Sequence, residues 1–184
     1  MEVILASASP RRAELLKKIA KDFKVVVSGF DESRLDASDP VAFAKKASYE
    51  KARDVARRNF DALVIGADTI VVNKGAIYGK PKDLKEAKAM LKALSGRTHQ
   101  VITGVTLFRN GRSVTGHAQT EVTFKKLSEK DIDDYLKDKH VLDKAGSYAI
   151  QEIGDKFVKK IKGDRDNVVG LPVALLKEML RLFQ

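Results

Sequence analysis

Leu63-Val64-Ile65-Gly66-Ala67-Asp68-Thr69-Ile70-Val71-Val72 is the most apolar run in the chain. Continuous, rich in β-branched residues and bounded by turn formers, it reads as a strand buried on both faces in the middle of a sheet. Asp68 does not fit that setting. A carboxylate taken out of water without a partner is strongly destabilising, so Asp68 needs a cation, a metal or good hydrogen-bond donors beside it. Gly66 and Ala67 leave room there for a ligand or a bulge. Buried, perturbed carboxylates cluster at active sites, which makes Asp68 the first candidate for chemistry.

Upstream, Asp39-Pro40 is an N-cap and first-turn pair opening a helix that runs to about Asn59. Its apolar positions (Val41, Ala44, Ala47, Ala52, Val55, Ala56) are mostly small, so another element can approach it closely. Lys51 sits beside this stripe, either as a solvated lysine or as a cation aimed into a cleft. Before the helix, Lys24 to Ser28 reads as a second strand, followed by Phe30-Asp31-Glu32 just beyond the strand end, where α/β sheets place their chemistry.

At the N-terminus, Val3-Ile4-Leu5-Ala6 is a short strand, and Leu15, Leu16 and Ile19 mark a helix. Ser7-Ala8-Ser9-Pro10-Arg11-Arg12 is the turn between them, with Ser9 as N-cap and Pro10 in the first helical position. Two arginines in a first helical turn oppose the helix dipole. An external anion reverses that penalty, because guanidinium forks, serine hydroxyls and free N–H groups then converge on it. The turn therefore points to a polyphosphate.

Downstream, Asn73-Lys74-Gly75 is a hairpin turn into Ala76-Ile77-Tyr78, which folds Lys80 back toward Asp68. Asp83-x-x-Glu86 is a capping box for a helix ending at Ser95-Gly96. Thr98 to Phe108 and Ser113 to Phe124 are alternating strands joined through Asn110-Gly111, so the sheet must be mixed. Ser128 caps another helix. Asp143 to Gln151 reads as a small-residue turn into a short strand, with Phe157 to Ile161 as its hairpin partner. Gly163 to Asn167 reads as a polar loop, and Gly170-Leu171-Pro172 opens a final amphipathic helix.

The chain has 184 residues, enough for one domain or one domain in two lobes. No apolar run approaches the roughly 20 residues needed to span a bilayer, and no secretory leader is recognisable. The absence of Cys excludes disulfides and cysteine metal ligands, making the cytoplasm the expected location. A net charge of +10 suits an anionic partner, although the lysines are interspersed with acids as on a solvated face. His99, His117 and His140 lack metal-ligand spacing.

Ser7, Arg11, Arg12, Lys51 and Lys80, with the carboxylates Glu32 and Asp68, form one coherent set. The cations and donors hold phosphates, while the acids hold a divalent metal and activate water, as hydrolysis of a nucleoside triphosphate requires. A Walker loop and a dinucleotide fingerprint are both missing.

These residues sit in blocks that resemble the Maf family of nucleoside triphosphate pyrophosphatases, related in fold to the inosine triphosphate pyrophosphatases. The blocks are Leu5-Ala6-Ser7-Ala8-Ser9-Pro10-Arg11-Arg12 with Glu14-Leu15-Leu16, Glu32, Glu50-Lys51-Ala52, Gly66-Ala67-Asp68-Thr69, Lys80-Pro81, residues 94–101, Asp143-Lys144-Ala145-Gly146-Ser147-Tyr148 with Ile150-Gln151, and Val169-Gly170-Leu171-Pro172. They span essentially the whole chain.

The resemblance implies one α/β domain over 1–184: a mixed twisted sheet with flanking helices in two lobes around a cleft, with a homodimer as the expected assembly. It implies cleavage of dTTP and UTP between the α and β phosphates with Mg2+ or Mn2+, in a housekeeping role toward nucleotide pools. Asp68 is then the proton acceptor, Ser7, Arg12, Glu32, Lys51 and Lys80 line the cleft, and Arg11, Thr69 and Gln151 bear on substrate choice. Thr69 and Gln151 carry donors and acceptors suited to a pyrimidine edge. Either Glu32 or Asp68 can be base or metal ligand at this stage. Glu152 stands where a glycine is usual. The competing classes are a nucleic-acid-binding regulator of cell division, which lacks a recognition motif here, and a nucleotide sensor, which has no need of a base.

Overall fold

The computed structural model describes residues 2–137 and 139–183. Its sheet has seven strands: β1 (Val3–Leu5), β2 (Lys24–Val25), β3 (Leu63–Asn73), β4 (Ala76–Tyr78), β5 (Thr98–Arg109), β6 (Arg112–Phe124) and β7 (Val158–Lys162). They run in the order β2-β1-β3-β5-β6-β7, with β4 also on β3. β1 is parallel to β2 and β3, and every other pairing is antiparallel. The mixed sheet required by the Asn110-Gly111 hairpin is thus present.

β3 is the axis of the molecule. One edge is paired with β5 continuously from Val64 to Val72. The other edge is shared: β1 covers Leu63–Ile65 and β4 covers Val71–Asn73. Between them, from Gly66 to Ile70, no strand lies against this edge among the described residues. Asp68 sits in that gap, where the sheet changes partners and a ligand can reach the strand.

Seven α-helices flank the sheet: α1 (Pro10–Leu16), α2 (Pro40–Ala56), α3 (Leu84–Leu94), α4 (Glu129–Leu136), α5 (Ile150–Phe157), α6 (Arg165–Val169) and α7 (Val173–Leu182). Side chains alternate along β3, so Val64, Gly66, Asp68, Ile70 and Val72 share a face, and Ile65, Ala67, Thr69 and Val71 share the opposite one. The even face carries α2. A Cβ on Gly66 would lie 2.4 Å from the Ser48 carbonyl oxygen, and one on Gly104 of β5 would lie 2.1 Å from that of Ala44. Glycine at both positions, against the small stripe Ala44, Ala47, Ser48 and Ala52, lets the helix backbone settle onto the sheet.

The odd face carries two apolar clusters in a row. Leu5, Leu15, Leu16, Ile65, Ala67, Val105, Leu107 and Leu176 pack together at one end, and Val71, Leu91, Leu94, Val101, Phe124, Ile132 and Phe157 at the other. These are the two lobes, strung along one continuous sheet. Thr69 and Thr103 lie on the rows between them, opposite each other in register.

Several expectations need correction. β2 ends at Val25 instead of Ser28, because Ser28 Oγ and the Gly29 N–H both turn to the Asp54 carboxylate, at 3.2 and 2.9 Å. The short strand expected at 148–151 is the start of α5: Ile150, Ile153 and Phe157 recur at helical spacing and are buried together. β7 accordingly pairs with β6. The polar stretch 163–167 contains the start of α6, because Asp164 caps it by accepting the Asp166 N–H at 2.8 Å. Glu86 completes only part of a capping box, accepting from Lys82 N–H at 2.6 Å while Asp83 accepts from Glu86 N–H. Among the described residues, no helix is long and apolar enough to cross a membrane.

Candidate active site

The gap in β3 opens into a cavity of about 350 Å³. Every site residue expected from the sequence lines it: Ser7, Arg11, Arg12, Glu32, Lys51, Asp68, Thr69, Lys80 and Gln151. They arrive from separate elements. Ser7 and the two arginines come from the β1–α1 turn, Glu32 from a 3₁₀ turn over Glu32–Arg34, and Lys51 from α2. Asp68 and Thr69 come from β3, Lys80 from the loop after β4, and Gln151 from the first turn of α5.

Asp68 is buried, and α2 supplies its cation: Lys51 Nζ donates to Asp68 Oδ1 at 2.6 Å. The same ammonium contacts the Glu32 carboxylate. Asp68 Oδ2 has no hydrogen-bond partner. Burial raises the Asp68 carboxyl above the ordinary carboxylate range; Lys51 and Arg12 oppose that rise, and the neighbouring Glu32 charge adds to it. Glu32 moves the other way. Its partial burial is outweighed by the charge and hydrogen bond of Lys51 together with the charges of Lys80 and Arg12, which hold it low. Two carboxylates sharing one ammonium are therefore pushed apart, one poised to accept a proton and one firmly ionised.

Arg12 reaches the cavity from the first turn of α1. Its Nε donates to the Gly170 carbonyl at 2.8 Å, Nη1 to Ser7 Oγ at 3.1 Å and Nη2 to Thr69 Oγ1 at 3.0 Å. A guanidinium has five N–H donors, so two remain for a ligand. Ser7 Oγ also accepts the Ser9 N–H at 3.2 Å, which fills its lone pairs and leaves its own proton to donate. Ser9 caps α1 as expected, its Oγ accepting the Arg12 N–H. Arg11 makes no ion pair among the described residues. The wall is thus a set of pre-oriented donors, suited to an oxyanion.

Glu32 and Asp68 are hard oxygen donors on a common ammonium, and Asp68 Oδ2 is a buried acceptor without a hydrogen-bond partner. Among the described residues, no group of three or more His, Cys, Asp and Glu side chains forms a closed cage. That donor set fits a cation of the Mg2+ type, which is held by one or two carboxylates and completed by substrate phosphates and water.

Two contributors escaped the sequence reading. The Gly170 carbonyl fixes Arg12, and Thr103 Oγ1 lies 2.9 Å from Thr69 Oγ1 while donating to the Asn167 carbonyl at 3.2 Å. A signal existed for the second: Thr103 stands in an apolar row, between Val101 and Val105, where a hydroxyl needs a reason.

Fold and site together define an α/β protein with a phosphate-type cleft cut into the edge of its central strand. Solved structures titled as Ham1 proteins share this fold: that from Staphylococcus aureus superposes with a TM-score of 0.58 at 13% identity over 100% of both chains. That from Coxiella burnetii gives 0.52 at 16% identity over 98% of both. The chain belongs to the Maf family, whose model, described as Maf-like protein, matches residues 2–183. It is 47% identical over 182 residues to a dTTP/UTP pyrophosphatase of Bacillus cereus strain B4264, covering 99% of this chain and 95% of that one. It is 49% identical over 180 residues to a dTTP/UTP pyrophosphatase of Bacillus cytotoxicus, covering 98% and 94%.

Proposed function

We propose that this chain is a metal-dependent nucleoside triphosphate pyrophosphatase that hydrolyses dTTP and UTP to the nucleoside monophosphate and pyrophosphate. The observation that carries the reading is the Lys51–Asp68 pair in the uncovered stretch of β3, facing the two free N–H groups of Arg12. The names of the near full-length relatives support the same substrates.

In the reaction, Arg11, Arg12 and Lys80 bind phosphate oxygens and Ser7 donates its hydroxyl. Asp68, raised by burial, takes a proton from a water that attacks the α-phosphorus. A bond forms between that oxygen and phosphorus, the bond to the α–β bridging oxygen breaks, and pyrophosphate leaves with the bridging oxygen. Lys51 holds Asp68 in place and balances the charge of the two acids. Glu32 and Asp68 would hold Mg2+ or Mn2+, which supplies charge neutralisation on the triphosphate. Gln151, exposed on the cavity rim, contributes to base choice.

The test is pyrophosphate release from a panel of nucleoside triphosphates with Mg2+, Mn2+ or chelator, using wild type and Asp68→Asn. Release from dTTP and UTP, lost with chelator and in the variant, is the expected result. No release from any nucleotide overturns the reading.

A further inference from the structure

Arg12, Thr69, Thr103 and Asn167 form a chain of hydrogen bonds that runs from a group that only donates to one that only accepts. At one end, Arg12 Nη2 can only donate, and it reaches Thr69 Oγ1 at 3.0 Å. At the other, the Asn167 carbonyl can only accept, and Thr103 Oγ1 reaches it at 3.2 Å. The Thr103 proton is therefore used on Asn167. The 2.9 Å contact between the two hydroxyls must then carry the Thr69 proton to Thr103. The alternative acceptor for that proton, the Gly170 carbonyl, is farther at 3.4 Å and already takes the Arg12 Nε–H. Thr69 lines the cavity; Thr103 and Asn167 are fully buried behind it and do not.

We infer that Thr103 is a positioning residue for the phosphate-binding Arg12, acting through Thr69, whose hydroxyl proton is thereby committed inward and is not free to read a nucleotide base. This rests on the triphosphate reading of the cleft. It changes the role of Thr69: the residue bears on the substrate through the arginine it orients, and base selection falls to the α5 side of the cavity. The seam between the two lobes is where such a relay works best, because the two threonines and Asn167 tie β3, β5 and α6 to the guanidinium.

Tripolyphosphate, which has no base, is the probe. Its binding to the full chain is measured calorimetrically for wild type, Thr103→Val, Thr103→Ser and Thr69→Val, alongside KM and kcat for dTTP and UTP. Thr103→Val keeps the shape and removes the hydroxyl; it is expected to weaken tripolyphosphate by roughly three- to tenfold, the scale of one neutral hydrogen bond. Both KM values should rise by the same factor, leaving the dTTP to UTP ratio unchanged, and Thr103→Ser should restore wild-type binding. Circular dichroism confirms folding, and the serine variant keeps the comparison open if the valine variant is unstable. Unchanged tripolyphosphate affinity in Thr103→Val, failure of the serine to restore it, a shift in the dTTP to UTP ratio in Thr69→Val, or no tripolyphosphate binding by wild type overturns the inference. Wild type that binds tripolyphosphate through this relay and cleaves no nucleotide overturns the proposed activity and leaves the relay standing.

Discussion

The Lys51 ammonium lies 2.6 Å from Asp68 Oδ1 and is the only cation whose ion pair with that carboxylate is formed among the described residues. Both side chains are largely withdrawn from water, Asp68 to 5% and Lys51 to 15% exposure. Removing the lysine leaves the Asp68 charge buried without an ion pair, whereas Lys51 keeps Glu32 when Asp68 is neutralised. Lys51→Met is expected to lower stability by about 3–5 kcal/mol at pH 8. At pH 5 the loss should be smaller, because Asp68, raised by burial and pushed still higher without its cation, holds its proton to a greater extent there than at pH 8. Urea unfolding at the two pH values checks this; a loss independent of pH would contradict it.

Asp68→Asn separates chemistry from folding. Burial raises the Asp68 carboxyl, so the folded protein binds its proton more tightly than the unfolded chain does. Its contribution is then favourable below the unfolded-state value and is lost as pH rises through the folded one. The amide carries no such pH-dependent penalty. The variant should be at least as stable as wild type at pH 8 while turnover falls by roughly 10³-fold or more. For wild type, kcat/KM should rise with pH through the raised Asp68 value. A variant that keeps turnover would remove Asp68 from the role of base.

Much of this arrangement was legible in the sequence, and the reasons are specific. The run from Leu63 to Val72 is too apolar to sit anywhere but the centre of the sheet, so the misfit of Asp68 was visible at once. Lys51, beside a stripe of small residues, was legible as a cation on a helix open to close approach, and the structure seats that helix on the strand. Between Tyr148 and Asn167 the strand was legible but the two helices flanking it were not. Ile150 and Ile153 give only one helical repeat before Gly154 interrupts α5 at a φ of 35°, and α6 is just five residues long, so neither shows sustained periodicity. Arg12's carbonyl partner on Gly170 is separated from it by 158 residues and belongs to the main chain, which leaves no side-chain pattern to read.

The closeness of α2 to the sheet sets the reach of Lys51, and Gly104 controls it. In Gly104→Ala the new methyl would meet the Ala44 carbonyl oxygen at 2.1 Å, a backbone atom that cannot swing aside. α2 must lift, drawing Lys51 away from Asp68 on the strand position paired with Gly104. We expect a destabilisation of about 1–3 kcal/mol or more together with a fall in kcat. Thermal unfolding and steady-state kinetics on the same preparation test the coupling. Loss of stability with unaltered kcat would show that the Lys51 position does not depend on helix seating.

His99 is expected to set the acid limit of the fold. It is 2% exposed, its ring packs against Phe124 and Tyr148 at 4.9 and 5.5 Å, and Nε2 is 2.7 Å from the Tyr148 hydroxyl. Nδ1 has no partner, so a proton placed there would bring an unsolvated charge into the core. Burial lowers the imidazole from 6.5 to about 4. A depressed folded-state value means that the unfolded chain takes up the proton first as pH falls. The stability that the neutral ring contributes is fully present above 6.5 and lost down to about 4. Over that window the loss amounts to about 3 kcal/mol. Asp68 contributes with the opposite sign at low pH, so the informative quantity is the difference between wild type and His99→Gln, which keeps a polar group near Tyr148 without a titrating one. From pH 7 to pH 4.5 the urea midpoint of wild type should fall further than that of the variant. Parallel curves would show that His99 titrates as it does in the unfolded chain, and that the ring is not sealed in the core.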